Sequence, residues 1–257
     1  MKQRYFIQLA FNGARFHGWQ RQPDALSVQA TLEEALSRLA RESIDVTGAG
    51  RTDAGVHASR YVAHFDAAHP ALDTHDFVRR LNSYLRNDVA ISGIVKMPVE
   101  AHARFDAVAR TYRYFMHLRK DPFLPDISWF YPYQPDIEAM NAAAALLIGR
   151  RDFTSFSKLH TDVKTNICSI SCARWTLSGY RLTFTVTADR FLRNMVRAIV
   201  GTLLDVGRGV MPPAGIDDVL RAHDRCSAGV SVPACGLFLT DIQYNYPLPK
   251  MQVAVHE

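Results

Sequence analysis

The stretch IDVTGAGRTDAGVHASRYVAHF, Ile44–Phe65, decides the fold: it reads as two strands, Ile44–Ala49 and Tyr61–Phe65, joined by a turn too glycine-rich to continue either. Working outward, a helical pattern flanks this pair on each side. Before it, Ser27 stands at a cap position, and Val28, Leu32, Ala35, Leu36 and Leu39 recur at helical spacing. After it, Thr74 opens a second helix whose Phe77, Val78, Leu81, Tyr84 and Leu85 share one face. Arg4–Phe11 and Val89–Lys96 are the outer strands, and NGARFHGWQRQPDA is a long loop after the first. Strand, helix, strand, strand, helix, strand is the ferredoxin-like order, an α+β arrangement with an antiparallel sheet backed by helices.

The second half repeats that order without repeating the sequence. Strands are expected over Thr111–Leu118, Ile167–Leu177, Tyr180–Ala188 and Leu237–Tyr244. Asp136 caps a helix carrying Ile137, Met140, Ala144 and Leu147, Leu192–Val206 forms another, and Ile216–His223 adds a short one. Asp121–Asp136 holds four prolines and five aromatic residues, which predicts a structured loop and no central strand. The boundary falls near Ala107, giving an N-terminal half over 1–107 and a C-terminal half over 108–257.

In the central turn, Asp53 sits between Arg51 and Gly55. Gly50 and Gly55 supply conformations that a Cβ resists, so backbone can approach a neighbour or ligand closely. An Asp in such a place either bonds its own turn amides, as Thr52 also can, or serves as an exposed functional carboxylate.

With 48% hydrophobic and 21% charged residues over 257, the chain has the composition of a globular protein, with no apolar run long enough to span a bilayer. MKQRYFIQLAF alternates like a strand and lacks a secretory signal, so a cytoplasmic protein is expected. The four cysteines have no paired spacing and read as free, mostly buried thiols. Net charge is only +5, yet arginines 15, 21, 51, 60, 79, 80, 86, 104, 110 and 113 crowd the glycine- and aromatic-rich first half. That distribution fits either RNA contacts or a solvated basic surface.

The helix FLRNMVRAIVGTLLDV has little polar surface and must be largely buried. Arg197 falls at the edge of its apolar arc, where a guanidinium needs either a structural or a functional partner. In HARFDAVARTYRYF, alternation puts Arg110, Tyr112 and Tyr114 on one face and Arg113 on the other, which suits base stacking or ordinary sheet packing. The ten histidines form no HExxH or His/Cys ligand cluster, and neither a P-loop nor a dinucleotide fingerprint is present. A reaction without metal or cofactor is the default.

Six blocks in order, GWQRQ (Gly18–Gln22), GRTDAGVHA (Gly50–Ala58), HARF (His102–Phe105), RTYRY (Arg110–Tyr114), DFTSF (Asp152–Phe156) and MVRAIVG (Met195–Gly201), resemble the TruA family of tRNA pseudouridine synthases. The resemblance implies two ferredoxin-like (RRM-like) halves in a continuous sheet with helices on one side and a basic cleft. It also implies a homodimer acting on uridines 38, 39 and 40 of the tRNA anticodon arm, with no cofactor. It places the catalytic aspartate at Asp53, the arginine beside it at Arg51, the active-site tyrosine at Tyr112 and the carboxylate-pairing arginine at Arg197. Substrate contacts are expected at Arg51, Tyr112, Gln20, Arg21, Arg60, Arg110 and Phe191. Ser59-Arg60 stands where the family usually has Gly-Gln, and FNG at Phe11–Gly13 replaces its common YDG. A non-catalytic RNA-binding protein would keep the arginines and tyrosines but tolerate loss of Asp53. A zinc deaminase would need HxE with PCxxC, which the sequence lacks.

Overall fold

A computed structural model describes residues 2–69, 71–158 and 165–248, which divide into two units. Unit 1 comprises residues up to Val108 together with those from Leu239, and unit 2 spans Ala109–Phe238.

In unit 1 the elements are β1 (Gln3–Phe11), α1 (Val28–Ala40), β2 (Val46–Gly48), β3 (His57–Ala67), α2 (His75–Tyr84) and β4 (Val89–Met97). β4 and β3 flank β1 antiparallel, and β2 pairs antiparallel with β3 through Val46↔Phe65 to Gly48↔Ala63. The order β4-β1-β3-β2 is the ferredoxin-like one predicted from Ile44–Phe65. Because β1 occupies one edge of β3 from Ala58 to Ala67, β2 shares the other edge with β10 (Leu237–Tyr244). Both helices start where their caps were read: the Ser27 hydroxyl accepts from Ala30 N at 3.3 Å and the Thr74 hydroxyl from Phe77 N at 3.3 Å. Val28, Leu32, Ala35 and Leu36 of α1 and Phe77, Val78 and Leu81 of α2 are buried, each large side chain contributing about 1.5–3 kcal/mol. Tyr84 departs from the expected stripe: it is 40% exposed, its hydroxyl donating to Glu34 at 3.2 Å.

Unit 2 takes most of β5 (Ala107–His117), then β6 (Trp129–Phe130), α3 (Ile137–Ala145), β7 (Gly149–Asp152), β8 (Ile167–Ser178), β9 (Arg181–Ala188), α4 (Met195–Gly207) and α5 (Gly215–Ala222). Its strands run β5-β9-β8-β7, all antiparallel, while β6 adds a two-residue parallel pairing to Met116 and His117. β6 and β7 are additions to the sequence reading. β6 lies inside the proline-rich loop, and GRRD of β7 carries no apolar alternation to betray it. α4 begins three residues later than Leu192 because Asn194 takes the left-handed conformation, φ 65°, which ends the approach and starts the helix. Its interior is nearly all buried, from Met195 to Gly207. Of the cysteines only Cys168 is buried, its thiol pushed up to about 12 by burial; Cys226 is exposed and the other two intermediate, so the thiols are not mostly buried. Among the described residues no helix is long and apolar enough to cross a membrane.

Candidate active site

The Asp53 turn is built against a loop from far earlier in unit 1. Val56 N donates to Asp53 O at 3.2 Å, closing a turn in which Gly55 has φ +77°. Gly55 N donates to Phe16 O at 3.2 Å, and Trp19 N to Thr52 O at 3.3 Å. Gly18, at φ +94°, lets this happen: a Cβ there would stand 2.3 Å from Thr52 O. Trp19 then stacks on Tyr61 with centroids 4.1 Å apart, a pair worth about 0.5–1.5 kcal/mol beyond burial. The Tyr61 hydroxyl donates to Gly50 O and accepts from Gly50 N at 3.3 Å, fixing the other end of the connection.

This corrects two readings. Gly50 has open space around its Cβ position and no positive φ, so its freedom is not what shapes the turn; Gly18 and Gly55 carry that demand. The Thr52 hydroxyl makes no turn bond, being buried without a hydrogen-bond partner among the described residues. Asp53 itself is half-buried, and Arg51 and Gln20 are exposed. Arg21, with its side chain 62% exposed, meets the buried Glu33 carboxylate at 2.5 Å, while its amide donates to Gln29 Oε1 at 3.0 Å. Glu33 also accepts from Val46 N at 3.0 Å, so one buried carboxylate ties the Gly18–Gln22 loop to the strand entering the turn. Arg60, 45% exposed, pairs with Asp241 at 3.0 Å.

Unit 2 holds the remaining candidates. Tyr112 is half-buried on β5, and Phe191 meets it edge to face at 5.0 Å. Arg110 donates to Asp189 O at 2.8 Å. Tyr114 was grouped with these as part of a possible stacking face, but it is fully buried; its hydroxyl donates to Pro233 O at 2.8 Å, and burial raises its pKa, with Arg197 pulling the other way. The open part of that face is therefore Arg110 and Tyr112.

Arg197 is half-buried on α4, its Nε donating to Val232 O at 2.7 Å. That carbonyl belongs to a loop laced from below: Arg225 donates to Ala228 O, Gly229 O and the Ser231 hydroxyl at 3.2, 3.1 and 2.8 Å, and Asn194 Nδ2 reaches Ser231 at 2.6 Å. Sequence reading missed these supports, as it missed Gly18, Trp19 and Tyr61. The one local signal was GWQ, a glycine followed by a large ring inside a loop, where a tryptophan must find cover.

A family model described as tRNA pseudouridine synthase matches residues 8–106 and 143–245. The chain is 54% identical over 241 residues to "tRNA pseudouridine synthase A" of Parabacteroides distasonis, covering 94% of this chain and 96% of that one. It is 53% identical over 245 residues to the protein of the same name from Bacteroides thetaiotaomicron, covering 94% and 91%, and 37% identical over 240 residues to that of Caldicellulosiruptor bescii, covering 93% and 98%.

Proposed function

Because the chain belongs to the tRNA pseudouridine synthase family, we propose that it converts uridines 38, 39 and 40 of the tRNA anticodon stem-loop to pseudouridine, with Asp53 as the reacting carboxylate and no cofactor. The enzyme is an isomerase of tRNA uridine. The bond from uracil N1 to ribose C1′ breaks, the base turns, and C5 bonds to C1′ in its place, while the proton on C5 is released and N1 takes one up. No atom is gained or lost.

The target base leaves its stack, at a cost of a few kcal/mol that basic and aromatic contacts offset. A carboxylate suits the next step, because it acts as nucleophile or stabilises a cationic sugar carbon. The observation that carries this reading is the buttressing of the Asp53 turn: a half-buried carboxylate is held on a turn whose two ends are fixed by Gly18, Trp19 and Tyr61. A turn that merely capped itself would have no need of such support.

The proposed division of labour gives the Asp53 turn to the half over 1–107 and the tyrosine strand and arginine helix to the half over 108–257. Arg197 is the proposed partner of the Asp53 carboxylate, and Tyr112, steadied by Phe191, is proposed to stack on the flipped base. Arg51, Gln20, Arg21, Arg60 and Arg110 meet the RNA. The proposal includes a homodimer, which follows the family resemblance, and a cytoplasmic location.

Incubating the pure protein with unmodified tRNA and mapping pseudouridine by position tests the site. Asp53→Asn tests the chemistry: turnover is expected to vanish with tRNA affinity within a few fold, and appreciable product would remove Asp53 from its role. Arg197→Lys is expected to be severely impaired, since a point charge supplies neither the planar fork nor the Nε bond to Val232.

A further inference from the structure

The HARF segment, His102–Phe105, has no part in the chemistry above, yet its turn in unit 1 is bonded throughout. All successive amides from His102 to Asp106 have acceptors: His102 N donates to Asp106 Oδ2 at 2.7 Å, Ala103 N to His64 Nδ1 at 3.1 Å, Arg104 N and Phe105 N to His102 Nδ1 at 3.1 and 3.2 Å, and Asp106 N to His102 O at 3.1 Å. Two tyrosines from the end of β10 and just beyond it complete the frame. Tyr244 donates to Ala103 O at 2.7 Å and Tyr246 to Asp106 Oδ2 at 2.8 Å, their rings stacked at 5.7 Å.

What this frame holds is Phe105, 75% exposed. The His102 ring stacks on it at 4.2 Å with planes 30° apart, and Arg104 Cζ lies 5.6 Å from its centroid. A phenylalanine in water forfeits the gain of burial. Here the exposure does not come from a frayed loop, because every amide from His102 to Asp106 is hydrogen-bonded. The turn spends its bonds on keeping one flat ring outside, with an aromatic ring behind it and a guanidinium beside it.

We propose that Phe105 is a stacking platform for an unpaired base of the tRNA substrate, with Arg104 meeting the adjoining phosphate. The inference rests on the tRNA-modifying function proposed above and extends it to a contact outside the catalytic group. Single-stranded RNA is held by this combination: a ring accepts any base on its π-face, and a cation tracks the backbone. The chemistry favours RNA over a protein partner because the ring's immediate neighbours are an imidazole and a guanidinium, the groups that accompany nucleobases and phosphates.

The test is tRNA binding by Phe105→Ala, Phe105→Trp and Arg104→Ala, with melting temperature and sedimentation measured alongside. Phe105→Ala is expected to weaken tRNA binding tenfold or more, equivalent to about 1.4 kcal/mol, with an unchanged melting temperature and an unchanged dependence of affinity on salt. Phe105→Trp should retain affinity, and its exposed indole should be quenched by tRNA beyond the response of the native tryptophans in the unsubstituted protein. Arg104→Ala should instead lower the salt slope by about 0.7–0.9. Wild-type affinity in Phe105→Ala, with pseudouridine still formed by the unsubstituted enzyme, overturns the platform and leaves the function standing. Loss of self-association at unaltered tRNA affinity overturns it too, making the ring a subunit contact. An unsubstituted enzyme that forms no pseudouridine in tRNA defeats the functional reading itself and the platform with it.

Discussion

Unit 1 holds two irregular turns of similar size, at Asp53–Val56 and at His102–Asp106, and they are kept in shape by opposite means. The first is held by backbone against backbone, through a glycine with no side chain to intrude and a tryptophan stacked on a tyrosine. The second is held by side-chain acceptors, His64, His102 and Asp106, each of which takes amide protons. One geometry thus depends on an absent atom, the other on which protons are bound. The carboxylate proposed to react is placed on the turn whose own supports are mainly backbone and ring contacts, and the display of an exposed ring is left to the titratable frame.

The largest effect that bears on this contrast is chemical. Asp53→Asn keeps the backbone frame and is expected to lower pseudouridine formation at least about 10³-fold in a single-turnover assay, whereas no such loss is expected from changes in the second turn. Gly18→Ala attacks the first frame itself. Its methyl group would meet Thr52 O and sit at positive φ, so a loss of about 3 kcal/mol in urea unfolding is expected, with turnover falling alongside. A fully stable Gly18→Ala would show that the close approach is not what shapes the turn.

The second frame is expected to answer to pH. Both imidazoles accept amide protons through Nδ1 and are held below the ordinary value of about 6.5. For His64 burial is the main cause, taking it to about 4, with Arg4 and His102 pushing the same way and Asp66 and Asp106 opposing; for His102 burial again leads. The unfolded chain therefore binds these protons first. Stability is full above about pH 6.5 and is lost as pH falls towards about 4, by about 2 kcal/mol for His64 alone. Urea unfolding at pH 7 and pH 4.5 measures this, and His64→Gln should flatten the slope. The smallest effect is expected from Gly50→Ala, within about 0.5 kcal/mol of the unsubstituted protein, because nothing lies within 4 Å of the added methyl.

Much of the fold could be read from periodicity, because each predicted strand or helix buries one stripe: Leu32 and Leu36 in α1, Phe77 and Leu81 in α2, Phe184 and Val186 in β9. β7 escaped because its four residues bury nothing fully, so no pattern marks them. The candidate site was legible as residues and not as a frame. Asp53 stood out through its glycines, yet Gly50 was credited with a freedom that belongs to Gly18, since sequence shows where glycines are and not which of them face a backbone. Tyr114 and Tyr112 looked equivalent for the same reason. Alternation assigns both to one face, and only packing separates the buried ring, bonded to Pro233, from the half-buried one beside Phe191.

The stack of Trp19 on Tyr61 also bears on how the enzyme is made. The Asp53 turn is closed locally by Val56 N and Asp53 O but gains its Phe16 and Trp19 supports only when the loop before α1 returns across β2, so the entropy of closing that long segment is met before the turn is fully framed. In refolding, the Asp53 turn should be completed after its flanking helices have formed, and the emission of Trp19, sealed only by that closure, is the clock on which its arrival can be timed.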